Sequence, residues 1–174
     1  MGGAGVLALS PAPPAYTLIM STKPITVISA MSLPTTPTAV FDFHMDVRNL
    51  PRLTPVRARI VSAPRPTREG DLQVIEIGVW PLAVRWHARI TTVEPPLRLV
   101  DVQERGPFRY WRHTHAVIAD GVGAVLVDIV EFRFFPGWFG RPIDATIVAA
   151  GMRLMFMNRH RRTRRLLVSR RGGR

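Results

Sequence analysis

The pair His113 and His115 is the feature of this 174-residue chain that most directly suggests chemistry, and Trp111 precedes it at the same spacing. Side chains two residues apart on a β-strand point to the same face, so these three would lie side by side. Two imidazoles on one face can ligate a metal, transfer protons or hold the polar group of a ligand. Asp101 and Asp128 supply carboxylates in the neighbouring segments. The chemistry therefore depends on whether the fold brings these groups together.

The elements that must position these residues are strands. β-Branched and apolar residues recur in short segments separated by proline- or glycine-containing turns, which is typical of an antiparallel meander. Two short helices are predicted after the first strand, because Thr36 before Pro37 suits a helix start and Asp46 can cap a second helix. A last helix is predicted from Pro142 to about Val168. The predicted strands are 24–33, 56–63, 72–80, 82–93, 97–104, 109–119 and 124–135.

Alternation along the predicted strands sorts their side chains into two faces. One face is charged, and we expect it to be convex and solvated. It carries Arg98, Glu104, Arg112, Glu131 and Arg133. The opposite face is apolar and aromatic around a few polar groups, which is the composition of a ligand pocket.

The final helix is expected to close this concave face. Its first half is apolar almost all round, which predicts deep burial, whereas Thr146, Arg153, His160 and Arg164 share one stripe. Taken together, the two elements give one set of predicted ligand-binding residues. They are Trp86, Leu99, Asp101, Gln103, Trp111, His113, His115, Asp128, Val130, Phe132, Ile147, Gly151 and Met155.

Three segments carry a resemblance to a known superfamily: FDFHMDVRNLPRLTP, RWHARITTVEPPLRLVDVQERGPFRYWRHTHAV and the final helix. Over residues 24–168 the chain resembles the SRPBCC (START-like) superfamily, and within it a small bacterial subgroup of ligand-binding proteins. The resemblance implies an α+β helix-grip fold, in which a curved seven-stranded antiparallel sheet wraps around a long C-terminal helix. It also implies a cavity for a lipid, an isoprenoid or quinone-like molecule, or a polyketide.

The polar residues of the concave face have three interpretations. A metal site would use the two histidines with an aspartate. An enzyme, such as the cyclases and dehydratases of the superfamily, would use His113 or His115 with Asp101 or Asp128 as an acid–base pair. A binding protein would use the same groups to orient a ligand. We favour this interpretation because it requires neither a metal ion nor a catalysed reaction. We assign no metal and no cofactor.

Composition limits the remaining functions. The chain has no cysteine, which excludes disulfides and thiolate metal sites. Its net charge of +12 is concentrated in residues 153–174, which contain nine arginines and no acid. This segment has three interpretations: a solvated helix end, a contact with an anionic membrane surface, or a nucleic-acid contact, which we rank last. The oligomeric state is left open.

The chain ends are expected to lie outside the folded domain. Residues 1–22 are interrupted by prolines and lack a basic start, so they make a poor signal peptide. We predict a disordered extension over 1–22, the ligand-binding domain over 23–169 and a basic tail over 170–174. A soluble, cytoplasmic protein is expected, with peripheral membrane association as the alternative.

Overall fold

The sheet that carries the two histidines is antiparallel and has seven strands. The computed structural model describes residues 23–169, and the predicted extension 1–22 and tail 170–174 lie outside them. The strand order is β1-β7-β6-β5-β4-β3-β2. The strands are β1 (Ile25–Leu33), β2 (Ala58–Ser62), β3 (Leu72–Ile77), β4 (Val84–Glu94), β5 (Arg98–Arg105), β6 (Tyr110–Asp120) and β7 (Gly123–Arg133). The predicted helix-grip fold is confirmed.

The short connection after β1 forms the predicted helices. Helix α1 (Pro37–Met45) starts at Pro37, and the amide of Ala39 donates to the Thr36 hydroxyl. A single 3₁₀ turn (Val47–Asn49) follows, and the Asp46 carboxylate accepts from the amide of Arg48. Helix α2 (Leu50–Leu53) completes the connection. Helix α1 packs against β6 and β7, and α2 packs against the last helix.

The long C-terminal helix begins earlier than predicted. Helix α3 (Gly137–Ile143) contains Pro142 in its interior, and a π-helical turn (Asp144–Val148) leads into α4 (Ala149–Ser169). The buried Asp144 carboxylate accepts from the amides of Phe134 and Phe135 at 3.0 and 3.3 Å. This link ties the start of the helix to the end of β7. Pro142 was thus the wrong start point, because the proline is accommodated next to a widened turn.

The helix is buried on one face only, so the predicted deep burial of its first half is wrong. Ile147 is 72% exposed, and Leu154 is 64% exposed. The sheet contacts a single stripe of a helix, and the apolar residues opposite that stripe therefore remain at the surface. The buried stripe contains Ala149, Phe156, His160, Thr163 and Leu167. His160 accordingly faces the sheet and not the solvent.

Two apolar clusters flank a polar region between the sheet and the helix. One cluster contains Val117 of β6 and Leu126 of β7. The other contains Trp111 of β6 and Val130 of β7, together with Phe156 of α4. The residues between them on the two strands are His113, His115 and Asp128. Among residues 23–169, no helix combines the length and apolar character needed to cross a bilayer.

Candidate functional site

Strand register brings the predicted polar residues together. Asp101 of β5 lies directly opposite His113 of β6, and His115 lies directly opposite Asp128 of β7. Paired residues of an antiparallel sheet project to the same face. The four side chains therefore meet on the concave face, as the alternation pattern predicted.

Asp128 is the centre of this cluster. Its side chain is fully buried, and each oxygen faces a histidine nitrogen. Oδ1 lies 2.9 Å from Nε2 of His113, and Oδ2 lies 2.6 Å from Nε2 of His160 on α4. His115 Nδ1 is 2.6 Å from Oδ1 but lacks hydrogen-bond geometry. The carboxylate thus links the sheet to the long helix.

Burial and mutual contacts set the charges of the cluster. Burial opposes ionisation of Asp128, but the interaction with His115 and the hydrogen bonds from His113 and His160 outweigh it, so its pKa lies well below the usual range. Burial also lowers the pKa of His113. Burial, followed by the charge of His113, lowers the pKa of His115 to about 4. At neutral pH the cluster is therefore a carboxylate among uncharged imidazoles, His113 and His115.

Asp101 has a different role at the edge of the cluster. Trp111 Nε1 donates to its Oδ1 at 3.4 Å, and His113 Nδ1 lies 3.7 Å from its Oδ2. Burial raises the pKa of Asp101, which favours the neutral carboxyl. His113 consequently lies between an ionised carboxylate on one side and a carboxyl held towards its neutral form on the other.

A cavity of about 230 Å³ opens beside the cluster. Its lining is mostly apolar and comes from the sheet, from α1 and α2, and from α4. Val56 belongs to this lining and is 47% exposed, so the cavity reaches the surface at Val56. Seven of the predicted ligand-binding residues lie on its wall. They are Trp86, Leu99, Asp101, Trp111, His113, His115 and Met155.

The other predicted binding residues do not line this cavity. Asp128 lies behind the histidines, and Val130 and Phe132 pack under the helix in the apolar core. Ile147 and Gly151 are exposed on the outer side of the helix, because the helix is rotated relative to the predicted orientation. For these five the prediction of a cavity position is wrong.

Gln103 is also outside the cavity, for a separate reason. Its side-chain amide donates to the carbonyl of Phe108 at 2.6 Å and accepts from the Phe108 amide at 3.3 Å. These bonds close the turn between β5 and β6. A Cβ at Gly106 would clash with the end of the Gln103 side chain, so a larger residue there would displace Gln103 from these hydrogen bonds.

Three residues of the candidate site were missed from the sequence. His44 of α1 lines the cavity, and its ring lies 5.3 Å from that of His115. Arg159 lines it from α4, and His160 binds Asp128. The signal for His160 was its helical spacing from Phe156, four residues before it and on the buried stripe. His44 follows Val40 by the same interval on the buried face of α1.

The cluster also has the composition of a metal site. Asp101, His113 and His115 each place one potential ligand atom within 4.8 Å of the others. Two observations oppose a cation there: the raised pKa of Asp101 favours its neutral form, and the positive charge of Arg159 acts on all three residues. We therefore treat these residues as the polar wall of the cavity.

Comparison with known proteins places the chain among related folds. A family model described as polyketide cyclase / dehydrase and lipid transport matches residues 33–156. No curated protein matches the sequence. Protein TTHA0849 from Thermus thermophilus has a similar solved structure, with a TM-score of 0.68 and 17% identity over 83% of this chain and 98% of that one.

Two further solved structures have the same fold. The Zhui aromatase/cyclase from Streptomyces sp. R1128 gives a TM-score of 0.66 at 12% identity, covering 84% of this chain and 94% of that one. A START superfamily protein from Mycobacterium smegmatis gives 0.62 at 10% identity, covering 81% and 98%. At these identities the likeness shows the fold alone.

Proposed function

Because the chain belongs to the polyketide cyclase / dehydrase and lipid transport family, we propose that it binds a small hydrophobic ligand between the sheet and the long helix. The observation that carries this proposal is a cavity with mostly apolar walls that includes the polar cluster of Asp101, His113 and His115. Apolar walls favour binding through burial of the ligand, and the few polar groups fix its orientation.

The cavity volume favours a ligand with a small apolar body. A cavity of about 150 Å³ lined by Leu, Ile and Phe suffices for benzene. Drug-sized ligands occupy pockets of roughly 300–1,000 Å³. The present 230 Å³ falls between them, which suits one or two fused rings or a chain of medium length. A longer isoprenoid or lipid would extend past Val56 to the surface.

Filling the cavity tests this proposal. Ala88 is buried and belongs to the lining, so Ala88→Leu places a larger side chain where the ligand would lie. Ala119→Leu, at an exposed position of β6, is the matched control. Trp86 and Trp111 line the cavity and report binding by their fluorescence. Replacing the two exposed tryptophans by Phe in all variants isolates that signal; they are Trp80 and Trp138.

The expected result is saturable quenching by two-ring aromatic ligands in the parent protein and in Ala119→Leu, with at least a tenfold loss in Ala88→Leu. Equal affinity of Ala88→Leu and Ala119→Leu for the ligand would mean that the ligand binds elsewhere. An absence of saturable binding across a panel of two-ring and medium-chain compounds would contradict the proposal.

A second candidate function is supported by the position of His113. Its ring lies on the cavity wall, with Nε2 bonded to Asp128 and Nδ1 facing Asp101. A histidine oriented by a buried carboxylate can exchange a proton with a bound molecule, as in general acid–base catalysis. We propose a cyclase-type reaction as the alternative to simple binding.

His113→Gln separates the two functions, because the glutamine Nε2 can still donate to Asp128 but cannot titrate. Incubation with a linear poly-β-ketone thioester, followed by the absorbance of an aromatic product, is the assay. Catalysis predicts that His113→Gln retains ligand affinity and loses turnover. If the parent protein itself produces no product above the uncatalysed rate, the catalytic proposal fails and simple binding remains.

The arginine-rich end of α4 supports a third, peripheral role. Three of its arginines are exposed, whereas Arg162 is bonded to Asn158 and to the carbonyl of Thr54. We propose that the exposed arginines attract an anionic membrane surface, where each would add about 1 kcal/mol. They are Arg161, Arg164 and Arg165.

A further inference from the structure

Arg159 is a charged side chain at the cavity without an opposing charge in contact. It is half-buried, it belongs to the cavity lining, and its Nε is buried without a hydrogen-bond partner. Within residues 23–169, no ion pair includes it; its guanidinium only lies 5.9 Å from the centre of the Phe156 ring. A guanidinium removed from water normally has an anionic or carbonyl partner.

The neighbouring arginines make this position unusual. Arg162 donates from Nε to Asn158 Oδ1 at 3.1 Å and from Nη1 to the carbonyl of Thr54 at 3.2 Å. Arg161 is exposed and needs no protein partner. Arg159 therefore lacks the hydrogen bonds of Arg162 and is less exposed than Arg161.

His44 provides a second unsatisfied group at the same cavity. Its side chain is 8% exposed, and both ring nitrogens are buried without partners. Burial, followed by the charge of His115, lowers its pKa well below the usual value, so the ring is neutral and carries one N–H donor. A buried donor without a partner costs free energy, so an acceptor on a ligand placed beside His44 would gain a hydrogen bond.

The other charged groups near this end of the cavity do not neutralise Arg159 directly. Asp128 is bonded to His113 and His160, and it lies behind the cavity wall. Asp101 faces the cavity, but Trp111 occupies its Oδ1 and burial favours its neutral form. Asp46 also belongs to the lining, but its carboxylate is paired with Arg48. Within residues 23–169, Arg159 is therefore the lining cation left without a carboxylate partner.

We propose that the ligand of this cavity is an acid, with a small apolar body against the sheet and a carboxylate that pairs with Arg159 and accepts a hydrogen bond from His44. The proposal rests on the proposed binding function and names its ligand class. A carboxylate presents two oxygens to the guanidinium, which is the geometry that arginine recognises best.

Three ligands with the same ring system test the charge preference. They are naphthalene-2-carboxylate, 2-naphthylmethanol and 2-naphthylmethylamine. Dissociation constants are measured by fluorescence titration or calorimetry on the full-length chain and on Arg159→Gln. Arg161→Gln is the matched control, because it removes an exposed arginine from the same turns of α4. We expect the parent protein and the control to bind the acid about ten- to a hundredfold more tightly than the alcohol.

Arg159→Gln is expected to lose the preference for the acid while keeping its affinity for the alcohol. Should that variant fail to fold, Arg159→Lys supplies the same test, because it retains the charge without the paired donors and should keep only part of the preference. Equal binding of acid and alcohol, or a preference for the amine, would overturn the inference and leave the binding function intact. Failure of all three ligands and of longer apolar compounds would instead reject the binding function itself.

Discussion

Acidification should destabilise this fold from about pH 6.5 downward, because three buried histidines are held neutral. The pKa values of His44, His113 and His115 all lie below the value of a free histidine, with burial as the largest cause in each case. The unfolded chain accepts a proton on each ring near pH ~6.5, while the folded chain does not. Protons therefore favour the unfolded state as the pH falls below about 6.5.

The magnitude can be worked out for His115. Its pKa is about 4 in the folded protein, so stability falls by about 1.4 kcal/mol per pH unit between pH ~6.5 and that value. The loss from this residue alone is about 3 kcal/mol, and His44 and His113 add to it in the same direction. The raised pKa of Asp101 opposes this loss once the pH is low enough for its carboxyl to take up a proton. Domains of this size are stable by roughly 5–15 kcal/mol, so the loss is a large fraction of the whole.

Asp128 acts in a lower pH window. Its pKa is held well below the usual range, so its stabilisation is present above the unfolded value of about 3.9 and is lost only as the pH falls through the folded value. Acid unfolding that begins between pH ~6.5 and ~4 therefore reports the histidines and not this carboxylate.

Urea denaturation at steps from about pH 7.5 to about pH 4.5 measures this effect. His115→Asn is the informative variant, because its side-chain nitrogen can replace Nδ1 beside Asp128 but does not titrate in this range. The parent protein should lose stability steeply below about pH 6.5, and the variant should have a slope smaller by about 1.4 kcal/mol per pH unit. A flat profile in the parent protein, or the same slope in both proteins, would refute this account of the buried histidines.

Three further perturbations have defined outcomes. Asp128→Asn should lower the free energy of unfolding at neutral pH by about 1.5–3 kcal/mol, because the neutral amide cannot make charge-assisted hydrogen bonds to His113 and His160; urea midpoints check this. Gly106→Ala should lower the free energy of unfolding by about 1 kcal/mol in the parent protein. The loss should be smaller in a Gln103→Ala background, because the side chain that the new Cβ would clash with is gone; a double-mutant cycle measures the difference. Liposomes with anionic lipid should bind the chain in a salt-sensitive manner, and the binding should weaken in a triple glutamine variant while neutral liposomes show no change. The three replaced residues are Arg161, Arg164 and Arg165.

The strand part of the site was predictable because a strand has a period of two. Alternation alone placed Asp101, His113, His115 and Asp128 on the concave face, and the register then made them direct neighbours. Which of them reaches the cavity was not predictable. Asp128 lies behind the histidines, and this depth depends on where α4 packs.

The helix part was less predictable because α4 itself carries apolar and basic residues on most of its sides. Its buried face is determined by contact with the sheet, which selects the stripe of Phe156, His160 and Thr163. The pattern alone favoured a different face and led to Ile147 and Gly151 as cavity residues. Arginine content also concealed Arg159, because the sequence does not distinguish one half-buried arginine from its exposed neighbours.

The most direct test of ligand binding between the sheet and the helix is to locate a bound molecule inside the cavity by NMR. Methionine methyl groups labelled with ¹³C provide the probes, since Met152 and Met155 line the cavity and Met157, 47% exposed on the same helix, does not. With naphthalene-2-carboxylate added, we expect saturable shifts and ligand contacts at Met152 and Met155, and none at Met157. Contacts confined to Met157, or no saturable change at the two lining residues across the panel of apolar ligands, would contradict binding in this cavity.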